Sequence, residues 1–137
     1  MPFTYTIDPV RNLVRQTLWD VVTVTDLKEM TLAVRRDPQY RRRLDILADV
    51  RDATVEISHD DMIEFSRFLA GSSEIGRQAI VVRGQLEFGI ARMFEQLTEL
   101  EVARADIKVF LNLESAEHWL SNPTVASHRV LSDRLKF

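Results

Sequence analysis

Asp49, Arg51, Asp52 and Thr54 fall within one short stretch, and Arg83 follows a second apolar run further along the chain. Their types suit recognition more than bond-making. A guanidinium such as that of Arg51 pairs with a partner's carboxylate or phosphate, and Asp52 and Thr54 can accept or donate hydrogen bonds. Asp20 and Gly84 could complete a small polar site with them. In an open α/β sheet, ligands bind beyond the carboxyl ends of the strands, where both apolar runs would end. The competing reading is structural. Asp49 and Arg51 then form an ion pair and Asp52 caps the following turn, as loop charges commonly do.

Other constellations carry less. His59, Asp60 and Asp61 are metal-binding types, but neighbours on a helix point about 100° apart and do not converge on one ion. His118 and His128 add no diagnostic spacing. The favoured reading is an acidic first helical turn with one solvated histidine. Arg35, Arg36, Arg41, Arg42 and Arg43 form a basic cluster that could meet phosphates. With only Tyr40 as an aromatic platform beside it, the cluster reads as a solvated face and not as a nucleic-acid site. Gly71 and Gly76 precede Arg77 and Gln78 where a phosphate loop needs a lysine and a hydroxyl. No serine sits in a nucleophile-elbow pattern. We expect no cofactor, no metal and no enzymatic activity.

The elements that must position these residues follow from periodicity. Phe3, Tyr5 and Ile7 alternate with threonines, a strand with one apolar face. Asp8 and Pro9 turn the chain, and Asn12 to Leu18 reads as the second arm of an antiparallel hairpin. Thr23 or Thr25 can cap a first helix that Pro38 ends. The organising strand runs from Leu44 to Val50, apolar enough to be buried on both faces, and passes into a charged loop over Asp49 to Thr54. Ser58 with Asp60 and Asp61 starts a second helix, and Gly71 to Gly76 is a loop. A short buried strand covers Ala79 to Val82. Leu86, Ile90, Met93, Leu97 and Leu100 then step by three and four, the clearest helical stripe in the chain. Phe88, Ala91 and Phe94 widen it, either for burial or as a dimer seam or lipid-facing wall. The last strand is Ile107 to Leu111, and Asn112 caps a final helix with Ala116, Trp119 and Leu120. Strands alternating with helices imply a mostly parallel sheet with helices packed on it and the first strand at an antiparallel edge.

Size and composition set outer bounds. The chain has 137 residues, enough for one domain with a sizeable core, and is 45% hydrophobic and 28% charged. A net charge of −3 points to no nucleic acid or anionic membrane partner. Having no cysteine, the chain forms no disulfide, thiol nucleophile or cysteine zinc site. The first residues do not read as a secretory signal, and no apolar run approaches the ~20 residues that span a bilayer. We expect a cytoplasmic protein without integral membrane contact.

The element order is similar to that of STAS domains, the fold of anti-sigma-factor antagonists. Three stretches resemble a group of small bacterial STAS-like proteins: Ile46-Leu-Ala-Asp-Val-Arg-Asp-Ala-Thr54, Phe88-Gly-Ile-Ala-Arg-Met-Phe94 and Val109-Phe-Leu-Asn-Leu-Glu-Ser-Ala-Glu-His-Trp-Leu120. The resemblance spans roughly residues 3 to 120 as an element order. It implies a STAS-like domain over 1–123, with 124–137 as a docked or flexible tail. It also implies a non-catalytic regulatory or protein-interaction module, a homodimer that meets a further protein partner. Classical antagonists carry a phosphorylated serine after the third strand. The matching stretch here, Asp52-Ala-Thr-Val-Glu-Ile-Ser58, has no paired serines after an aspartate. The CRAL-TRIO lipid-binding plan shares the general layout, and implies instead a carrier of an apolar small molecule. That reading requires a sizeable apolar cavity near the third helix.

Overall fold

The computed structural model describes residues 2–71, 76–101 and 106–122. Among these residues nine elements follow one another: β1 (Phe3–Asp8), β2 (Leu13–Thr23), α1 (Val24–Arg36), β3 (Asp45–Glu56), α2 (His59–Ala70), β4 (Gln78–Val81), α3 (Gln85–Glu101), β5 (Ile107–Phe110) and α4 (Leu113–Ser121). The strands form one sheet in the order β1-β2-β3-β4-β5. β1 is antiparallel to β2 at the edge, and every other pair is parallel. The expected α/β architecture is therefore present. The tail 124–137 and the middle of the Gly71–Gly76 loop lie outside the described residues.

Local chemistry explains the helix starts. Thr23 and Asp26 form a reciprocal capping box on α1, and Ser58 and Asp61 do the same on α2. Each box satisfies two backbone donors that a helix start leaves open. Asn112 accepts from the Ser115 N–H at the start of α4. Asp61 is thus a cap, and with Asp60 it makes the first turn of α2 acidic.

The two long strands differ from expectation. β2 continues past Leu18 to Thr23, and β3 continues past Val50 to Glu56. Trp19 pairs with Asp52, and the register holds to Thr23 and Glu56. The stretch expected to be a charged loop is therefore strand. Ala53 and Val55 turn inward while Asp52, Thr54 and Glu56 are exposed. This is the two-residue alternation of a half-buried strand, and it outweighs the charges. Between Thr17 and Trp19 the register slips, so Val50 and Arg51 oppose Leu18 alone, a β-bulge.

The sheet has two unlike faces. On one, α4 packs Ala116, Trp119 and Leu120 against Leu13, Leu47, Ala79, Val81 and Phe110. The Trp119 ring lies 5.7 Å from that of Phe110, and the Arg77 guanidinium sits over it at 5.6 Å. Arg77 also pairs with Asp45 at 2.8 Å, tying β4 to β3 on the same side. On the other face, α1 packs Met30 and Val34 over the β1–β2 end, against Phe3, Leu18, Val22 and Val14. α2 and α3 pack on each other, with Phe65 stacked on Phe94 at 5.7 Å and the Ser66 and Thr98 hydroxyls 3.1 Å apart. β3 is not buried on both faces as its apolar run suggested. Leu47 is buried under α4, but Ile46, Ala48 and Val50 on the opposite face remain partly accessible.

Candidate functional site

The charged cluster resolves into a structural lock. Arg51 donates from Nε to Asp49 Oδ1 at 2.9 Å and from Nη2 to Oδ2 at 2.8 Å. The Arg51 backbone N–H also donates to Oδ1, at 3.1 Å. One carboxylate therefore holds both the backbone and the side chain of the bulged residue. The Arg51 hydrogen bonds lower the Asp49 pKa below the usual carboxylate value, partly opposed by burial. The same contacts raise the Arg51 pKa, so the pair stays charged. Asp52 stands exposed in the middle of β3 and caps no turn, because no turn is there. Asp20 pairs with Ala53 at a positive φ of 56°.

Thr54 and Arg83 have a different setting. Both line the rim of a cavity of about 380 Å³ between the sheet and the helices α1, α2 and α3. That volume falls within the roughly 300–1,000 Å³ usual for small-molecule sites. Arg83 is exposed and donates from Nη1 to the Arg51 carbonyl at 3.3 Å, which bridges the bulge to the cavity mouth. The sequence-predicted residues thus divide. Thr54 and Arg83 belong to the cavity, whereas Asp49, Arg51 and Asp52 do not line it.

The cavity has a cause in the topology. β4 pairs only with Ile46 to Asp49 of β3. From Val50 to Glu56, β3 has β2 beside it and no β4, while the chain after β4 turns through Gly84 into α3. The helix is therefore held away from the outer part of β3. Ala48 contributes only a methyl to the floor, and Val50 and Ile80 flank it. Met62, Phe65 and Leu69 of α2 and Phe94 of α3 form the opposite wall.

α3 is turned differently from the expectation. Its buried line runs through Glu95 and Thr98 beside partly buried Ala91 and Phe94, not along the strongest apolar stripe. Leu86 is 74% exposed, Met93 44% and Ile90 40%. The reason lies in what α2 offers: Ser66 takes the Thr98 hydroxyl, and Phe65 takes Phe94. Leu86 and Ile90 both line the cavity while reaching solvent, so they form an apolar lip.

Two polar floor residues escaped the sequence reading. Gln16 on β2 and Gln78 on β4 are buried and face the cavity. The available signal was position. Gln16 lies between Val14 and Leu18 on the inward face of a strand, where an apolar residue is the usual occupant. Elsewhere, Arg35 places its guanidinium 5.7 Å from the Phe68 ring centre, and Arg41, Arg42 and Arg43 are exposed. Among the described residues, no group of three or more His, Asp or Glu side chains could hold a metal ion. None of the described helices is long and apolar enough to cross a membrane.

No protein-family model matches the chain, and no curated protein matches it. Among solved structures it is similar to an uncharacterized protein of the DUF3478 family with a SpoIIAA-like fold from Shewanella loihica. The two share 18% sequence identity, and the match covers 86% of this chain and 93% of that one, with a TM-score of 0.57. The likeness shows the fold: SpoIIAA-like, the STAS architecture that the element order resembles.

Proposed function

We propose that this STAS-like domain is a non-enzymatic binding module that takes an apolar small molecule between its sheet and its first three helices. The observation that carries this reading is the cavity itself, about 380 Å³, lined by aliphatic and aromatic side chains and open beside an apolar lip. Filling it with an apolar guest removes that lining from water, worth about 25 cal/mol for each Å² covered. The polar groups within it support binding over chemistry. Its buried polar side chains, Gln16 and Gln78, are neutral and do not titrate near pH 7, so they make poor general acids or bases, while the ionisable lining residues Arg35, Tyr40, Arg83 and Glu87 are all partly or fully exposed.

A second reading, a regulatory module that binds a protein partner or a second copy of itself, has one observation in its favour. Leu86, Ile90 and Met93 present an exposed apolar strip on α3, and such strips mark interaction surfaces. The Asp49–Thr54 stretch supports it less, since its main charges already satisfy each other. A cytoplasmic setting goes with either reading. Native mass spectrometry of the protein, purified gently from its own cells, separates them. A retained apolar adduct supports the binding module. A ligand-free dimer supports the interaction module and counts against the first reading.

A further inference from the structure

The carboxamides of Gln16 and Gln78 have no hydrogen-bond partner among the described residues, although the two side chains are only 6% and 8% exposed. The amide atoms keep a little accessible surface toward the cavity, so a guest that displaces water from them must replace those hydrogen bonds. Both side chains line the cavity. In the register, Gln16 sits beside Ala48 and Gln78 beside Ile46, so the two flank β3 on its cavity face. Two strand spacings and a two-residue offset put their backbones about 12 Å apart on the diagonal, with the small Ala48 side chain leaving room between. Each carboxamide offers one oxygen acceptor and two N–H donors, and neither carries charge.

We infer that the cavity selects a neutral apolar molecule bearing a group that both donates and accepts hydrogen bonds, such as a primary amide or a hydroxyl, and seats that group against Gln16 and Gln78. This deepens the binding-module reading and rests on it. A bare hydrocarbon would leave both carboxamides unpaired. An ionised carboxylate would lose its hydration without gaining a counter-charge at the floor. The cations that line the cavity stand elsewhere: Arg83 is exposed at the rim, and Arg35 lies on the Phe68 ring. A carboxylate could reach them only by keeping its head away from the glutamines.

Displacement of the fluorescent apolar probe N-phenyl-1-naphthylamine from the full-length protein tests this with ligands of one chain length. The set is decanamide, 1-decanol, 1-chlorodecane and, at pH 8, decanoate. The amide and the alcohol are expected to displace the probe at concentrations about tenfold lower than the chloride or the carboxylate, the size of one or two net hydrogen bonds. In Gln16→Leu/Gln78→Leu that preference should vanish while the probe still binds. The single variants Gln16→Met and Gln78→Met, which keep the side-chain length, should each lose part of it. Equal displacement by chloride and amide, tighter binding of decanoate, or a preference that survives in the variants overturns the inference and leaves the cavity reading standing. Failure of the unaltered protein to bind the probe at all counts against the cavity reading itself.

Discussion

Against α4, β3 and β4 present Leu47, Ala79 and Val81, each 2% exposed or less, while Ile46, Ala48 and Ile80 on the same strands turn to the other face and stay partly accessible. One pleat separates a filled layer from a hollow one. The filled side has a large ring, Trp119, seated against Phe110 and small residues at Ala79 and Ala116. Large beside small is how interiors reach their usual density. The hollow side has a small residue, Ala48, across a cavity from the wall of Met62, Phe65, Leu69 and Phe94, and polar glutamines where the filled side has aliphatics. What the contrast teaches is that the strand pattern alone does not decide packing. The helix that arrives on each face does, and α3 arrives with its best apolar stripe turned partly outward.

Trp119→Ala is the strongest blow to the filled side. It should cost about 3–5 kcal/mol in denaturant unfolding, the usual range for removing a buried large aromatic. A loss under about 1 kcal/mol would mean that the α4 layer is not the better packed one.

A matched pair sharpens the comparison next. Ala79→Leu pushes extra volume into the filled layer and should destabilise by about 1–3 kcal/mol. Ala48→Leu makes the same change one face away, into open space, and should change stability by less than about 1 kcal/mol. Equal costs by chemical denaturation would erase the difference between the faces.

The Asp49–Arg51 pair should act on stability and not on binding. Arg51→Ala is expected to cost about 1 kcal/mol, since the pair is partly exposed though bidentate. The pH dependence has a definite sign. Arg51 lowers the folded-state pKa of Asp49, so the unfolded chain takes up that proton first on acidification. The contribution is complete above the ordinary carboxylate value of about 3.9 and is lost as pH falls through the folded value. Unfolding curves of the protein and of Arg51→Ala should therefore differ at pH 6 and converge in strong acid. Probe binding should be the same for both. Smallest in stability is Leu86→Ser at the apolar lip, within about 0.5 kcal/mol, with probe affinity reduced severalfold.

Much of this fold was legible in the sequence. Hydroxyls and amides before acidic first turns located the helix starts at Ser58 and Asn112 and narrowed the first to Thr23 or Thr25, of which Thr23 is the cap, because capping is local chemistry. The hairpin, the parallel sheet and the element order followed from period and turn residues. Three things did not. Asp49 to Thr54 read as a loop because charge drew the eye from the Ala53–Val55 alternation, and the strand that pairs with Asp52 to Glu56 comes from residues 19–23. The orientation of α3 was unreadable because an apolar stripe says that a face exists and not what it meets. Here the Thr98–Ser66 contact, across 32 positions, turns the helix. The cavity was foreseeable only as a requirement of the carrier reading. A void is a property of how elements stop short of one another, and that is set by the offset between β3 and β4.

The most direct measurement is a fluorescence titration of N-phenyl-1-naphthylamine into the protein and into Ala48→Leu, whose added side chain would occupy the cavity floor. The account predicts saturable one-to-one binding with a blue-shifted emission for the protein, and loss of most of it in a folded Ala48→Leu. No saturable binding, or equal binding by the two, would contradict it.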